Sequence, residues 1–177
     1  ARTTFTEALN ISRSVRNFAL EGVSLSNLGL VAATEKYYDR AIKLYEAAAT
    51  LRRRGNDQLG EANTFNNLGD AYLAIHRYSD SIGAYGAALQ IGRERRAPKI
   101  QFRAIDGLVK AHASVGRNER WLQLLQERLA IAKETENLRQ QIKSLQLLAE
   151  FYQKQGNDAE AARAYHQARA IAHILHP

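Results

Sequence analysis

Catalysis needs side chains that can hold a proton, a metal or an electron pair, and in this 177-residue sequence such groups are few and scattered. There is no cysteine, which excludes thiolate nucleophiles, thiolate metal sites and disulfides. The five histidines are His76, His112, His166, His173 and His176. His166, His173 and His176 fall roughly on one helical side and could hold a metal weakly, but no carboxylate stands among them and the cluster reads as incidental. His112 shares a register with Tyr72 and Tyr152 and reads as a packing residue. Carboxylates such as Glu35, Asp39 and Glu94 fall at turns and helix ends without a histidine partner. Gly83 and Gly86 lie inside a helical pattern, where they are expected to allow close packing rather than to cradle phosphate. No catalytic residue, metal or cofactor is expected.

The residues that stand out are suited to holding a partner. Asn63, Asn66, Asn67 and Asp70 are spaced i, i+3, i+4, i+7, a stripe along one helix face. Asparagine is a poor helix former, so a row of amides there suggests a surface whose donors and acceptors could clamp a peptide backbone. A second grouping is basic: Arg13, Arg53, Arg93 and Lys133 recur at one constant interval and should form a ladder along one rim, continued by His173. Cations at helix C-termini stabilise them by a few tenths of a kcal/mol each, and that is the simpler reading. The alternative is an anionic partner: nucleic acid, an acidic protein or a membrane surface. The net charge of +7 allows it, but Glu94, Glu134 and Glu136 dilute the patch and no aromatics interleave as a single-strand binder would require.

A periodic scaffold positions these residues. Leu28, Leu68, Leu108 and Leu148 recur at that same interval. So do Ala41, Ser81, Trp121 and Ala161, then Tyr45, Tyr85, Leu125 and Tyr165, then Ala48, Ala88, Arg128 and Ala168. Ile11, Leu51, Ile91, Ile131 and Ile171 keep a further register without insertion, which chance does not produce. Within a unit, Leu68, Ala71, Tyr72 and Ile75 have helical spacing, as do Ile82, Tyr85 and Leu89. Breaks fall around His76–Arg77, Gly116–Arg117 and Gly156–Asn157 within units, and around 55–57, 97–98 and 136–137 between them. Proline is confined to Pro98 and Pro177, and Ala, Leu, Arg and Gln abound, as a helical chain requires. Each unit is therefore a helical hairpin that must stack on its neighbours to bury its apolar stripes. The organisation expected is a single array: 1–17 as the second helix of an incomplete repeat, then repeats at 18–57, 58–97, 98–137 and 138–177, as a piece of a larger protein.

The strings SNLGLVAATEKYYDRAIKLYEAA and NNLGDAYLAIHRYSDSIGAYGAAL carry Leu-Gly, Tyr, Ala, aromatic and Ala landmarks that resemble the tetratricopeptide repeat. The 40-residue period is similar to the long-helix subtype of kinesin light chains, G-protein-signalling modulators and bacterial arrays. Small residues at Gly29, Gly69, Ala41, Ala48, Ala88, Ala161 and Ala168 should let helices approach, with Tyr45, Tyr85 and Tyr165 filling the gaps. Repeat 3 departs from the pattern, with Val109, Trp121 and Arg128 at landmark positions, so looser or differently angled packing is expected there.

The resemblance implies an all-α, right-handed α-solenoid whose first helices line a concave groove. The inward positions are then Val23, Ser26, Asn27 and Leu30 in repeat 1, Asn63 to Asp70 in repeat 2, Arg103, Asp106, Gly107 and Lys110 in repeat 3, and Lys143, Gln146, Leu147 and Glu150 in repeat 4. In the family an Asn beside the Leu-Gly pair often contacts peptide backbone, and Asn27 and Asn67 match that position. The groove residues singled out are Asn27, Asn63, Asn66, Asn67, Asp70, Arg103, Lys110 and Lys143, suited to a partner with acidic residues beside an apolar anchor. The Lys and Asn carboxylate clamp of chaperone-binding arrays is absent, since Ser26, Asn66, Asp106 and Gln146, then Leu30, Asp70, Lys110 and Glu150, hold those positions.

The expected function is a protein-interaction scaffold or adaptor that binds a peptide or helix of another protein. Self-association through open solenoid ends is a further expectation. No apolar run is long enough to span a bilayer, and the lack of cysteine is compatible with the cytoplasm, the compartment expected here.

Overall fold

The computed structural model describes residues 2–175. These residues form nine helices and no strand: α1 (Arg2–Ser14), α2 (Phe18–Thr34), α3 (Tyr38–Arg54), α4 (Gln58–Ala74), α5 (Tyr78–Glu94), α6 (Pro98–Ser114), α7 (Asn118–Glu134), α8 (Leu138–Lys154) and α9 (Asp158–Leu175). From α2 to α8 every helix has 17 residues, joined by short turns of equal length.

The turns explain the even spacing. A positive φ recurs at a constant interval, at Arg16, Lys36, Asn56, His76, Arg96, Gly116, Glu136 and Gly156. Each is the left-handed residue of a helix-ending motif: in the first full repeat the Lys36 amide donates to the Ala33 carbonyl at 3.0 Å, and the Tyr37 amide to Ala32 at 2.8 Å. Only two of the eight are glycine, so the others hold a side chain in a conformation that costs about 1–2 kcal/mol. Each repeat is thus two equal halves with the same chain reversal. First helices start on side-chain caps, with Asn17, Asp57 and Asn137 accepting from the amides of Leu20, Gly60 and Gln140. α6 lacks such a cap and opens instead with Pro98 in its first turn.

The chain divides into two compact units, Ala1–Val115 and Gly116–Pro177. In the first, consecutive helices α1 to α6 pack on one another, and α2, α4 and α6 also meet side by side. Tyr45 and Tyr85, each 1% exposed, are the wedges of this stack. A Cβ at Gly29 would stand 2.7 Å from the Tyr45 ring, and one at Gly69 would stand 2.7 Å from the Tyr85 ring. A Cβ at Gly107 would overlap the Tyr85 ring from the other side. Ser81, in the register of Ala41, is fully buried and donates to the Gly69 carbonyl at 3.0 Å. Gly83 and Gly86 do not serve close packing as expected: nothing lies within 4 Å of a Cβ at either, so they are bare backbone on α5.

In the second unit α7 packs on α8. Leu124, Leu125 and Arg128 are all fully buried. The Arg128 guanidinium occupies the slot that alanine fills elsewhere and donates to Ser144 Oγ at 2.7 Å and Gln140 Oε1 at 2.8 Å, both on α8. Trp121 packs edge-on to Phe151 at 4.9 Å with Lys154 over its face. Tyr165 is not a wedge: it is 39% exposed and its hydroxyl turns to Gln153. Its Leu-Gly counterpart is Leu148-Ala149, with Ala149 fully buried.

Candidate functional site

The site lies on the face that α2, α4 and α6 present in the first unit. Helical spacing puts Asn63, Asn67 and Asp70 along one side of α4, with Asn63 and Asp70 exposed and Asn67 half-buried. α6 brings Arg103 alongside, and its Nη2 donates to Asn67 Oδ1 at 2.6 Å and to Asp70 Oδ2 at 2.7 Å. The other Asp70 oxygen accepts from the Tyr85 hydroxyl at 2.5 Å. The wedge that spaces α4 from α6 therefore also fixes the carboxylate on the open face. The Arg103–Asp70 pair is largely exposed, and such pairs contribute only about 0.2–1 kcal/mol, so its main effect is on the direction in which the groups point.

Electrostatics follow from this arrangement. Burial first and the Asp70 carboxylate second raise the Tyr45 hydroxyl, Arg103 partly offsets them, and together they push it up to about 12. Burial pushes the Tyr85 hydroxyl still higher, with its hydrogen bond to Asp70 adding to the shift. Both tyrosines stay neutral donors across the physiological range. Beside the network a cleft of about 260 Å³ opens, its apolar lining supplied by Leu30, Ala33, Ala71 and Ala74 and its polar lip by Asn67, Asp70 and Arg103. Leu30 is 52% exposed, an aliphatic side chain offered to a ligand.

Of the other residues singled out from the sequence, Asn27 is half-buried on α2 and Lys110 is exposed on α6. Asn63 turns its amide back to the Leu59 carbonyl at 3.0 Å. Asn66 does not line the groove as expected: it is fully buried and donates at 3.5 Å to the Ile100 carbonyl of α6, so it joins helices instead of facing a ligand. Ser26 behaves alike, buried and bonded to Thr64 at 2.9 Å. Lys143 is exposed on α8, in the second unit.

In the rim, Arg13 pairs with Glu21 at 2.8 Å and Arg53 with Glu61 at 2.5 Å. Arg93 and Lys133 are exposed, Lys133 in the second unit. At the positions matching Glu21 and Glu61, the next repeats carry Gln101 and Gln141, which donate instead to the carbonyls of Gly92 and Ala132. Glu21 and Glu61 were legible as partners from their own shared register. The Tyr85–Asp70 bond had no sequence signal beyond a tyrosine in the wedge position.

His112 is 5% exposed. His176 lies outside the described residues. Among the described residues no three His, Asp or Glu side chains gather as a metal site, and no helix is long and apolar enough to cross a membrane.

Two family models described as tetratricopeptide repeat match residues 20–94 and 144–174, one stretch in each unit. The chain belongs to the tetratricopeptide-repeat family. Among curated proteins, this repeat array is 31% identical over 88 residues to the uncharacterized protein ycf37 of Guillardia theta, covering 50% of the chain and 49% of that protein. It therefore spans about half the length of the curated relative it matches. Among solved structures, BtubC (BKLC) from P. vanneervenii superposes with a TM-score of 0.84 at 18% identity, over 99% of this chain and 74% of that one. A putative kinesin light chain with nearly identical TPR-like repeats from Podosopora anserina gives a TM-score of 0.78 at 17% identity, over 99% and 87%. At such identities the likeness is one of fold, the helical repeat solenoid. Tetratricopeptide repeats make the chain a protein–protein interaction module.

Proposed function

We propose that the chain is a scaffold or adaptor that binds, and does not catalyse, and that the first unit holds a peptide or helical segment of a partner protein on the α2–α4–α6 face. The observation that carries this reading is the cleft in which Asn67, Asp70 and Arg103 form one bonded network beside an apolar floor. Pockets of this composition bury an apolar anchor and orient it with a few fixed polar groups. The Asn67 amide nitrogen remains available to a peptide carbonyl, because its oxygen already accepts from Arg103. Arg103 and Lys110 lie two turns apart on α6 and suit acidic residues beside that anchor.

The rim reading, in which Arg13, Arg53, Arg93 and Lys133 bind an anion, has less support. Arg13 and Arg53 are neutralised by Glu21 and Glu61.

Peptide display on the immobilised chain tests the groove. Selected peptides should share an apolar anchor flanked by acidic residues. Asn67→Ala and Leu30→Asp should each weaken them about tenfold or more, the scale on which single central contacts act. Unchanged affinity in both variants, with helicity intact, would discard the groove.

A further inference from the structure

The two edges of the first unit differ in charge. Short turns make successive helices antiparallel, so the turns at 15–17, 55–57 and 95–97 share one edge and those at 35–37 and 75–77 share the other. Over residues 11–21, 51–61 and 91–101 there are nine Arg or Lys against four Asp or Glu, five of the chain's net charges of +7. The opposite edge, residues 31–41, 71–81 and 111–115, balances Lys36, Arg40 and Arg77 with Glu35, Asp39 and Asp80.

The surplus is not absorbed internally. Arg13, Arg52 and Arg53 have carboxylate partners in Glu21, Asp57 and Glu61. Among the described residues Arg16, Arg54, Arg95, Arg96 and Lys99 hold no ion pair, although Arg54 lies 4.3 Å over the Phe18 ring and Arg95 bonds Gln58. Aliphatic side chains stand between these cations: Ile11 is 65% exposed, Val15 62%, Leu20 52% and Leu59 47%.

We propose that this edge docks the first unit on an anionic lipid surface. Cations along the edge suit lipid phosphates and carboxylates, while Ile11, Val15, Leu20 and Leu59 reach the acyl boundary between headgroups. The long Arg and Lys stems allow both contacts at once, with the aliphatic part low and the charge at headgroup level. A nucleic-acid backbone would use the cations and leave the four aliphatic side chains in water, which is why lipid is favoured over a phosphodiester chain. Leu59 and Lys99 stand beside Asn63 at the edge end of the α2–α4–α6 face, while the cleft lined by Leu30, Asn67, Asp70 and Arg103 is a different pocket.

Co-sedimentation with phosphatidylcholine vesicles, and with an equal mixture of phosphatidylcholine and phosphatidylserine, tests the proposal. The 177-residue chain should pellet with the mixed vesicles at low salt and not with phosphatidylcholine alone. Arg54→Gln, Arg95→Gln and Lys99→Gln should each lower the partition coefficient about fivefold. Leu20→Ser with Leu59→Ser should lower it severalfold at unchanged charge, and because both side chains are exposed the fold should survive, as circular dichroism would show. Failure to bind the mixed vesicles overturns the proposal. So does binding that ignores the leucine substitutions while an oligonucleotide binds with the same dependence on the three cations.

Discussion

Tyr85 in the first unit and Leu125 in the second occupy the same register of successive repeats, and both are buried, at 1% and 0% exposure. They are used differently. The Tyr85 ring separates two glycine-bearing helices and its hydroxyl reaches the open face to hold Asp70. Leu125 has no such reach, and one turn later Arg128 supplies the polar contact, inward, to Gln140 and Ser144 of the next helix. The slot demands volume. What its occupant does beyond filling it decides whether a repeat presents an ordered polar network on its face or ties itself to the helix of the next repeat.

Four changes would break or sharpen that contrast. Arg128→Ala restores the small residue of the other repeats, yet it should destabilise the chain by about 3 kcal/mol, because a cavity opens and the α8 acceptors lose their donor. A near-zero change in a urea melt would mean that α7 and α8 simply close up, and that the two units differ less than described. Tyr85→Leu, which gives the first unit the second unit's residue, should cost about 2 kcal/mol by leaving space between Gly69 and Gly107. Tyr85→Phe keeps the ring and should cost about 1 kcal/mol, while freeing Asp70 and weakening peptide binding more than its stability loss accounts for. Smallest is Arg96→Gly, which relieves a left-handed arginine at φ 47° and should raise stability by up to about 1 kcal/mol.

The same tyrosines give the first unit an alkaline limit. Burial holds both hydroxyls above the ordinary value of 10, Tyr45 near 12, so their contribution is complete below pH 10 and the Tyr45 share is lost as pH rises through 12. Tyrosinate absorbance should show both ionising together with unfolding, and Tyr85→Phe should soften that alkaline transition.

The periodic part of the molecule was legible from residue types alone. Five registers sharing one period locate the helices, and the Leu-Gly pairs locate where Tyr45 and Tyr85 sit. The side of a helix was harder to read. Asn66 and Asn67 are adjacent in sequence, so about 100° of rotation separates them, enough to put one between α4 and α6 and the other at the cleft. A stripe of amides spans that boundary without marking it. Gly83 and Gly86 misled for a related reason: glycine permits close approach, but only a neighbouring helix uses it, and none lies there. The Tyr85–Asp70–Arg103 network spans three helices, and its bonds join residues 15 and 33 apart, beyond any local pattern.

The most direct test of the account is a binding footprint. Backbone amide shifts of the labelled chain should be followed as a display-selected peptide is titrated in. Perturbations should gather on α2, α4 and α6 around Leu30, Asn67, Asp70 and Arg103, and should need about tenfold more peptide in Asn67→Ala. A footprint centred on α7 to α9, or on the arginine edge, would contradict it.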